Sequence, residues 1–541
     1  MSTPTNSTDP MPTPRRRRVR SFIWWWTRRV ALVVGAAALT LLAVRVYDTQ
    51  RGPDLERWHL FVPDEAKARR LDRMEWEEYL ERERAIFASV DRNVTQRIED
   101  QGRVAYNRYA ANSPVHPPGF ARDWNRSYLD QPDGPPVGAV VLLHGLTDSP
   151  YSLRHVARHY RERGYVVVGI RLPAHGTVPA ALTDITWEDW MAATRLAVRE
   201  ARRRTDAEAP LHIVGFSLGG ALATKYALEA IENDALARPD RLILVSPMIG
   251  ITRFARFAGL AGLPSVLPRF AKAAWLGIVP EFNPFKYNSF PVNGARQSHR
   301  LSVALQQQIL RMAERGELID LPPIITFQSV MDATVSTPAV VAALYAHVPE
   351  NGSELVLFDV NRTVKFGPLM RPNADRAVER LLPPGPHRYD VAIVGNEHDG
   401  SLATIERHVA AGGSEAEERP LGIEYPSGIF SLSHVALPFP IDDALYGIEP
   451  TDQEHFGAHL GAITARGERG VLIVPLDSVF RIASNPFLPY VFARLDQLLD
   501  DPKPGTARTQ GGAAAPTSVG RRARMRGIEY DEPRRESPHT P

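Results

Sequence analysis

The sequence predicts an α/β fold, a mostly parallel, doubly wound sheet with helices on its faces. Three observations predict it. Short apolar runs recur along the chain: Val140-Val141-Leu142-Leu143, Tyr165 to Ile170, Leu211-His212-Ile213-Val214 and Arg241 to Ser246. Helical patterns alternate with them, as in the amphipathic, arginine-rich stretch Trp187 to Arg204, and alternation of this kind is what a doubly wound sheet requires. The chain is also long enough, at 541 residues with 44% hydrophobic and 23% charged, to bury one large core with additions.

The run Leu211 to Val214 leads directly into Gly215-Phe216-Ser217-Leu218-Gly219, and a helical run, Ala221 to Ile231, follows. A serine on so sharp a strand-to-helix turn is expected in a strained backbone conformation. Its hydroxyl is then exposed at the positive end of the next helix, and the flanking glycines let strand and helix approach. Ser217 is therefore the candidate nucleophile. The earlier strand Val140 to Leu143 runs into His144-Gly145-Leu146-Thr147-Asp148-Ser149-Pro150. Acyl transfer needs donors aimed at the oxygen that becomes negative, and the backbone N–H groups of Leu146 and Leu218 are the natural pair. His144, and His175 in Arg171-Leu172-Pro173-Ala174-His175-Gly176-Thr177, read as loop-bracing residues.

These three motifs, V-V-L-L-H-G-L-T-D-S-P, R-L-P-A-H-G-T and G-F-S-L-G-G, stand in the order found in the α/β-hydrolase superfamily. The chain resembles its monoglyceride lipase, carboxylesterase and serine aminopeptidase group, closely over about 138–246 and loosely beyond. The resemblance implies the α/β-hydrolase fold, a cap over the site, and a Ser–acid–His triad in that order. Asp332, in Ser329-Val330-Met331-Asp332-Ala333-Thr334-Val335 after the strand-like Pro323 to Gln328, resembles the D-x-x-V acid loop. Ser329 stands where the family often has glycine, and a helix N-cap is the plainer reading of Asp332. Of 16 histidines, His434 has the family's S-x-H and S-H-V context, whereas His398 sits in a Gly-bounded acidic turn. The expected triad is Ser217, Asp332 and His434. The long gap between the last two implies an insertion, about 361–429.

The cap is expected over about 249–300, where Phe254, Phe257, Leu260, Leu263, Leu267, Trp275, Phe282, Phe285 and Phe290 cluster. They fit either an acyl-chain site or ordinary core. The insertion has a strand-like run, Tyr389 to Val394, and decoration of the fold is its plainest reading. The hydrolase domain is expected over 135–501. Residues 502–541, rich in Pro, Gly, Arg and Ser, read as a disordered tail.

The amino terminus carries arginines 15, 16, 17, 18, 20, 28 and 29 before the uncharged run Val30 to Val44. This predicts a basic cytoplasmic tail over 1–29 and a transmembrane anchor over 30–47, with tryptophans 24–26 and Tyr47 at the headgroups. A cleaved signal peptide is the alternative, but no clean small-x-small site precedes Arg45-Val46-Tyr47. The catalytic domain would then lie on the extracytoplasmic side, the periplasm in a Gram-negative source. Between anchor and sheet, 48–134 holds a charged helical stretch, about Asp64 to Ala110, that suits equally a stalk and a helix packed on the body.

The net charge of +2 argues against nucleic acid as a partner, and the absence of cysteine excludes disulfides, thiol nucleophiles and Cys-based metal sites. Glu454-His455-Phe456-Gly457-Ala458-His459 has two histidines four apart, yet lacks the glutamate of a zinc protease. No metal or cofactor is expected. The expected function is hydrolysis of a carboxylic ester, of acylglycerol or lysophospholipid type. A serine aminopeptidase, an acyltransferase and a non-catalytic binding protein on the same scaffold are the alternatives.

Overall fold

The computed structural model describes residues 24–37, 40, 44, 47, 52–98, 106–250, 268–363, 377–451, 454–463, 481 and 483–501. Among the described residues the main sheet contains ten strands: β1 Tyr128–Asp130, β2 Gly138–Leu143, β3 Tyr165–Ile170, β4 Leu211–Phe216, β5 Arg241–Val245, β8 Ile324–Ser329, β9 Glu354–Phe358, β10 Asp390–Asn396, β11 Ala403–Val409 and β12 Glu417–Glu424. A separate antiparallel pair is formed by β6 Trp275–Gly277 and β7 Phe290–Pro291. The order is β1-β3-β2-β4-β5-β8-β9-β10-β11-β12. From β3 to β10 every neighbour is parallel, while β1, β11 and β12 pair antiparallel.

The continuous apolar runs are strands buried on both faces: every residue of β2, β3, β4, β5, β8 and β9 is buried. Alternation divides them between two cores. Val141 and Leu143 face a core shared with α1 Trp76–Asn93, α3 Trp187–Arg203, α4 Leu218–Glu232 and α5 Val292–Arg315. Val140 and Leu142 face another, shared with α2 Arg154–Glu162 and α6 Leu488–Asp500. Helices on both faces are what a parallel sheet needs, because neither face can meet water.

Among its described residues the insertion contributes three strands to the main sheet. Strand β10 adds to β9 in parallel, and β11 and β12 continue as an antiparallel meander. Residues 364–376 within it lie outside the described residues. The charged stretch before the sheet is a helix packed on the body. Trp76, Tyr79 and Val90 of α1 are in the first core, and Glu83 and Glu65 form buried ion pairs with Arg171, at 3.0 and 2.8 Å.

The anchor and the location built on it are overturned. Among the described residues no helix is long and apolar enough to cross a membrane. The described helix at 24–37 begins with three tryptophans and carries Arg28 and Arg29. The expectation of a single-pass protein with an extracytoplasmic domain is withdrawn. Residues 1–23 and 502–541, including the expected tails, lie outside the described residues.

Candidate functional site

Ser217 joins β4 to α4 with φ 54° and ψ −113°, left-handed backbone that a non-glycine residue occupies at a cost of about 1–3 kcal/mol. The surroundings over-determine it. Its N–H donates to the Val245 carbonyl at 2.9 Å, and its carbonyl accepts the Met248 N–H at 2.9 Å. The glycines are steric necessities: a Cβ on Gly219 would lie 1.9 Å from the Leu143 carbonyl oxygen, and one on Gly215 would lie 2.4 Å from that of Gly219. The G-x-S-x-G spacing thus brings β4 and α4 together with β2 while the serine is held at the turn.

The loop after β2 passes over this turn, and a Cβ on Gly145 would stand 3.3 Å from the Cβ of Ser217. Thr147, at φ 63°, turns the loop back, and its carbonyl accepts the Tyr287 N–H at 2.7 Å. Leu218 is the first residue of α4, where N–H groups lack intrahelical acceptors. Among the described residues neither the Leu146 nor the Leu218 N–H donates to the protein. His144 is fully buried and braces the loop. Its Nε2 accepts the Leu172 N–H at 3.0 Å and its Nδ1 donates to the Gly145 carbonyl at 2.9 Å. Burial above all holds it neutral, well below the usual histidine range. His175 is likewise buried, with Nδ1 on the Pro173 carbonyl.

Asp332 follows β8, and its Oδ2 meets His434 Nδ1 at 2.8 Å across 102 residues of sequence. Its Oδ1 accepts the N–H groups of Thr334 and Val335 at 2.8 and 3.1 Å. Burial pushes this carboxyl up, but His434 and the two backbone donors outweigh it, so it lies below its ordinary value. The His434 ring stacks on Phe216, the neighbour of Ser217, with centroids 5.2 Å apart. The histidine loop is fastened to the sheet. Ser329 Oγ donates to the Leu432 carbonyl at 2.7 Å, and the Asn361 N–H donates to that of Phe430 at 2.9 Å. The long gap is therefore occupied by the chain leaving through β9 to β12 and returning to the ends of β8 and β9.

The structure brings Asp332 and His434 together and sets Phe216, beside Ser217, against the imidazole. His398 is exposed in the β10–β11 turn, with Nδ1 on the Asp399 carbonyl. Glu454 pairs with Arg154, and Gly457, at φ 72°, breaks any helix through His455 and His459. Among the described residues no group of three metal-ligating side chains could hold an ion. Within the cap region, 251–267 lie outside the described residues, among them Phe254, Phe257, Leu260, Leu263 and Leu267. Trp275 and Phe285 are core. Trp275 packs edge-on against His59, and Phe285 stacks on Tyr151 with centroids 4.1 Å apart.

A profile of the Alpha/beta hydrolase family matches residues 140–411, half of the chain. This protein belongs to that family. The chain is similar to a thermostable monoacylglycerol lipase of Bacillus sp. (strain H-257), at 29% identity over 178 residues, 33% of this chain and 66% of that one. It is also similar to a phospholipase of Bacillus subtilis (strain 168), at 26% over 117 residues, 21% and 42% of the two chains. The matches thus span less than two thirds of either relative. Among solved structures it is similar to a soluble variant of monoglyceride lipase from Saccharomyces cerevisiae, at 16% identity and a TM-score of 0.33, covering 43% of this chain and 81% of that one.

Two features of the hydrolase site escape sequence reading. Arg171 was visible in R-L-P-A-H-G, but its partners Glu65 and Glu83 lie far away in the charged stretch, where nothing local pairs them with it. Gln328, fully buried on β8, donates to Asp332 Oδ2 at 3.2 Å. Its position at the strand end was the available signal.

Proposed function

We propose that this α/β hydrolase is a serine esterase that cleaves lipid-like carboxylic esters through an acyl-enzyme on Ser217. The observation that carries the reading is the 2.8 Å hydrogen bond from His434 Nδ1 to the buried Asp332 carboxylate, in a chain whose Ser217 is held at positive φ. With Nδ1 engaged, Nε2 is the nitrogen left to take the serine proton. Ser217 Oγ attacks the ester carbonyl carbon as that proton passes to His434. The carbonyl oxygen becomes an oxyanion that accepts from the N–H groups of Leu146 and Leu218. Collapse breaks the bond to the alcohol oxygen, which leaves with the proton from His434. Water, deprotonated by the same imidazole, then releases the acid and restores the serine.

Two observations support lipid-like esters. Both sequence relatives carry lipid-hydrolase names. Large apolar side chains also stand exposed on the loops of the acid and the histidine, Met331 at 47% and Phe430 at 54%. A series of p-nitrophenyl esters from acetyl to decanoyl tests the reading. The expected result is a rising kcat/KM with acyl length, each buried methylene being worth about 0.8 kcal/mol, and loss of activity in Ser217→Ala at every length. A flat profile that still depends on Ser217 would remove the lipid preference and turn attention to small esters and peptides.

A further inference from the structure

Gln328 occupies the penultimate position of β8, with no solvent exposure. Its amide nitrogen approaches three acceptors: Asp332 Oδ2 at 3.2 Å, Thr337 Oγ1 at 3.0 Å and the Ser329 carbonyl at 3.3 Å. The carboxylate and the carbonyl can only accept, so chemistry fixes the nitrogen on this side. Thr337 spends its own proton on the Ser329 carbonyl at 3.0 Å, which leaves its lone pairs to the amide. The amide oxygen, by contrast, is buried and meets no partner among the described residues. A buried acceptor without a partner is destabilising. An apolar residue would therefore suit the strand better, were stability alone at stake.

Asp332 Oδ2 is the oxygen that accepts His434 Nδ1, while Oδ1 is held by Thr334 and Val335. Gln328 supplies the remaining donor on the oxygen that faces the histidine. Arg481 stands one residue further out, on Thr334 Oγ1. Because that donor is neutral, it orients the carboxylate without a cation that would weaken its attraction for a protonated imidazole.

We infer that Gln328 is a positioning residue for the proposed triad, holding the Asp332 carboxylate in line with His434 Nδ1 through the Oδ2 hydrogen bond. The inference rests on the Ser217–His434–Asp332 reading. It is a role in the chemical step, since Gln328 lies behind the acid and away from the ester, so kcat falls while KM stays.

The test compares wild type, Gln328→Met and Gln328→Glu on one p-nitrophenyl ester across pH, with Ser217→Ala as control. Gln328→Met should lower kcat about 10- to 100-fold, the scale of a slight misplacement at a reacting group, with KM within about threefold. Gln328→Glu, protonated at low pH, donates as the amide did. As it ionises it sets a second negative charge beside the dyad and should raise the acid limb of the kcat/KM profile by about one pH unit. In wild type the His434 Nδ1 proton should give a far-downfield ¹H resonance, displaced in each folded variant. Wild-type kcat and an unmoved resonance in folded Gln328→Met, with Ser217→Ala inactive, would overturn the positioning role alone. Full activity in Ser217→Ala would overturn the triad and the positioning role together.

Discussion

Ser217 was legible because its motif encodes sterics as well as chemistry: Gly215 and Gly219 each sit where any side chain would strike backbone. Asp332 and His434 were legible only by resemblance, since nothing local states that two residues so far apart share a 2.8 Å hydrogen bond. Gln328 offered only its place at the end of an apolar run, a signal without meaning until Asp332 folds back onto it. At this scale the choice between histidines gives the sharpest expectation. His434→Ala should reduce hydrolysis of a short p-nitrophenyl ester roughly 10⁴-fold or more. His398→Ala, which alters an exposed turn, should leave turnover within about twofold. The opposite pattern in steady-state kinetics would move the base to the β10–β11 turn and dissolve the proposed triad.

Helix α1 shows why an element can be found while its setting stays open between two readings. Its charges fit a solvated stalk as well as a packed helix, and the outcome turned on Glu83 meeting a fully buried Arg171. Tyr79 adds a hydrogen bond from its hydroxyl to the Arg171 carbonyl, and Trp58 stacks on Tyr109 with centroids 5.2 Å apart. The segment is part of the body and fixes the R-L-P-A-H-G loop beside the site. Glu83→Ala leaves the Arg171 charge balanced by Glu65 but strips Arg171 Nε and the Ser127 N–H of their buried acceptor, and should cost about 1–3 kcal/mol in urea unfolding, the usual penalty for buried donors left unpaired. A chain starting at Asp54 should unfold at the same temperature as the full chain, whereas one starting at Asn107 should not give a cooperative transition. Equal melting of both shortened chains would make the segment dispensable. The strand β12 was unreadable for the opposite reason: Glu417 to Glu424 is an exposed edge with little apolar pattern, and only pairing with β11 makes it a strand.

Across the whole molecule, strands buried on both faces gave the strongest signals and the uncharged run near the amino terminus the most misleading one, because apolar composition there was read as a span that the described helix does not supply. Buried histidines also set how the fold responds to acid. Burial holds His59 at about 4 and His175 at about 3, with His144 far below the ordinary 6.5. The unfolded chain therefore takes up these protons first as pH falls below about 6.5. Each group costs about 1.4 kcal/mol per pH unit until its folded value is reached. Asp148, pushed up to about 6 by burial, works the other way between about 6 and 4, and Glu281 and Glu354, also raised by burial, act in the same direction. His155 and His387, lowered by burial, add to the loss, so three carboxyls oppose five histidines. Melting temperature should thus decline steadily from pH 7 to pH 5, and a flat or rising curve would contradict these assignments. Labelling with a fluorophosphonate probe tests most directly whether the β4–α4 turn holds an activated serine. One phosphonylated residue is expected, mapped to Ser217 by peptide mass spectrometry, with labelling abolished in Ser217→Ala and strongly slowed in His434→Ala. Undiminished labelling in Ser217→Ala, or a label found on another residue, would contradict an activated Ser217.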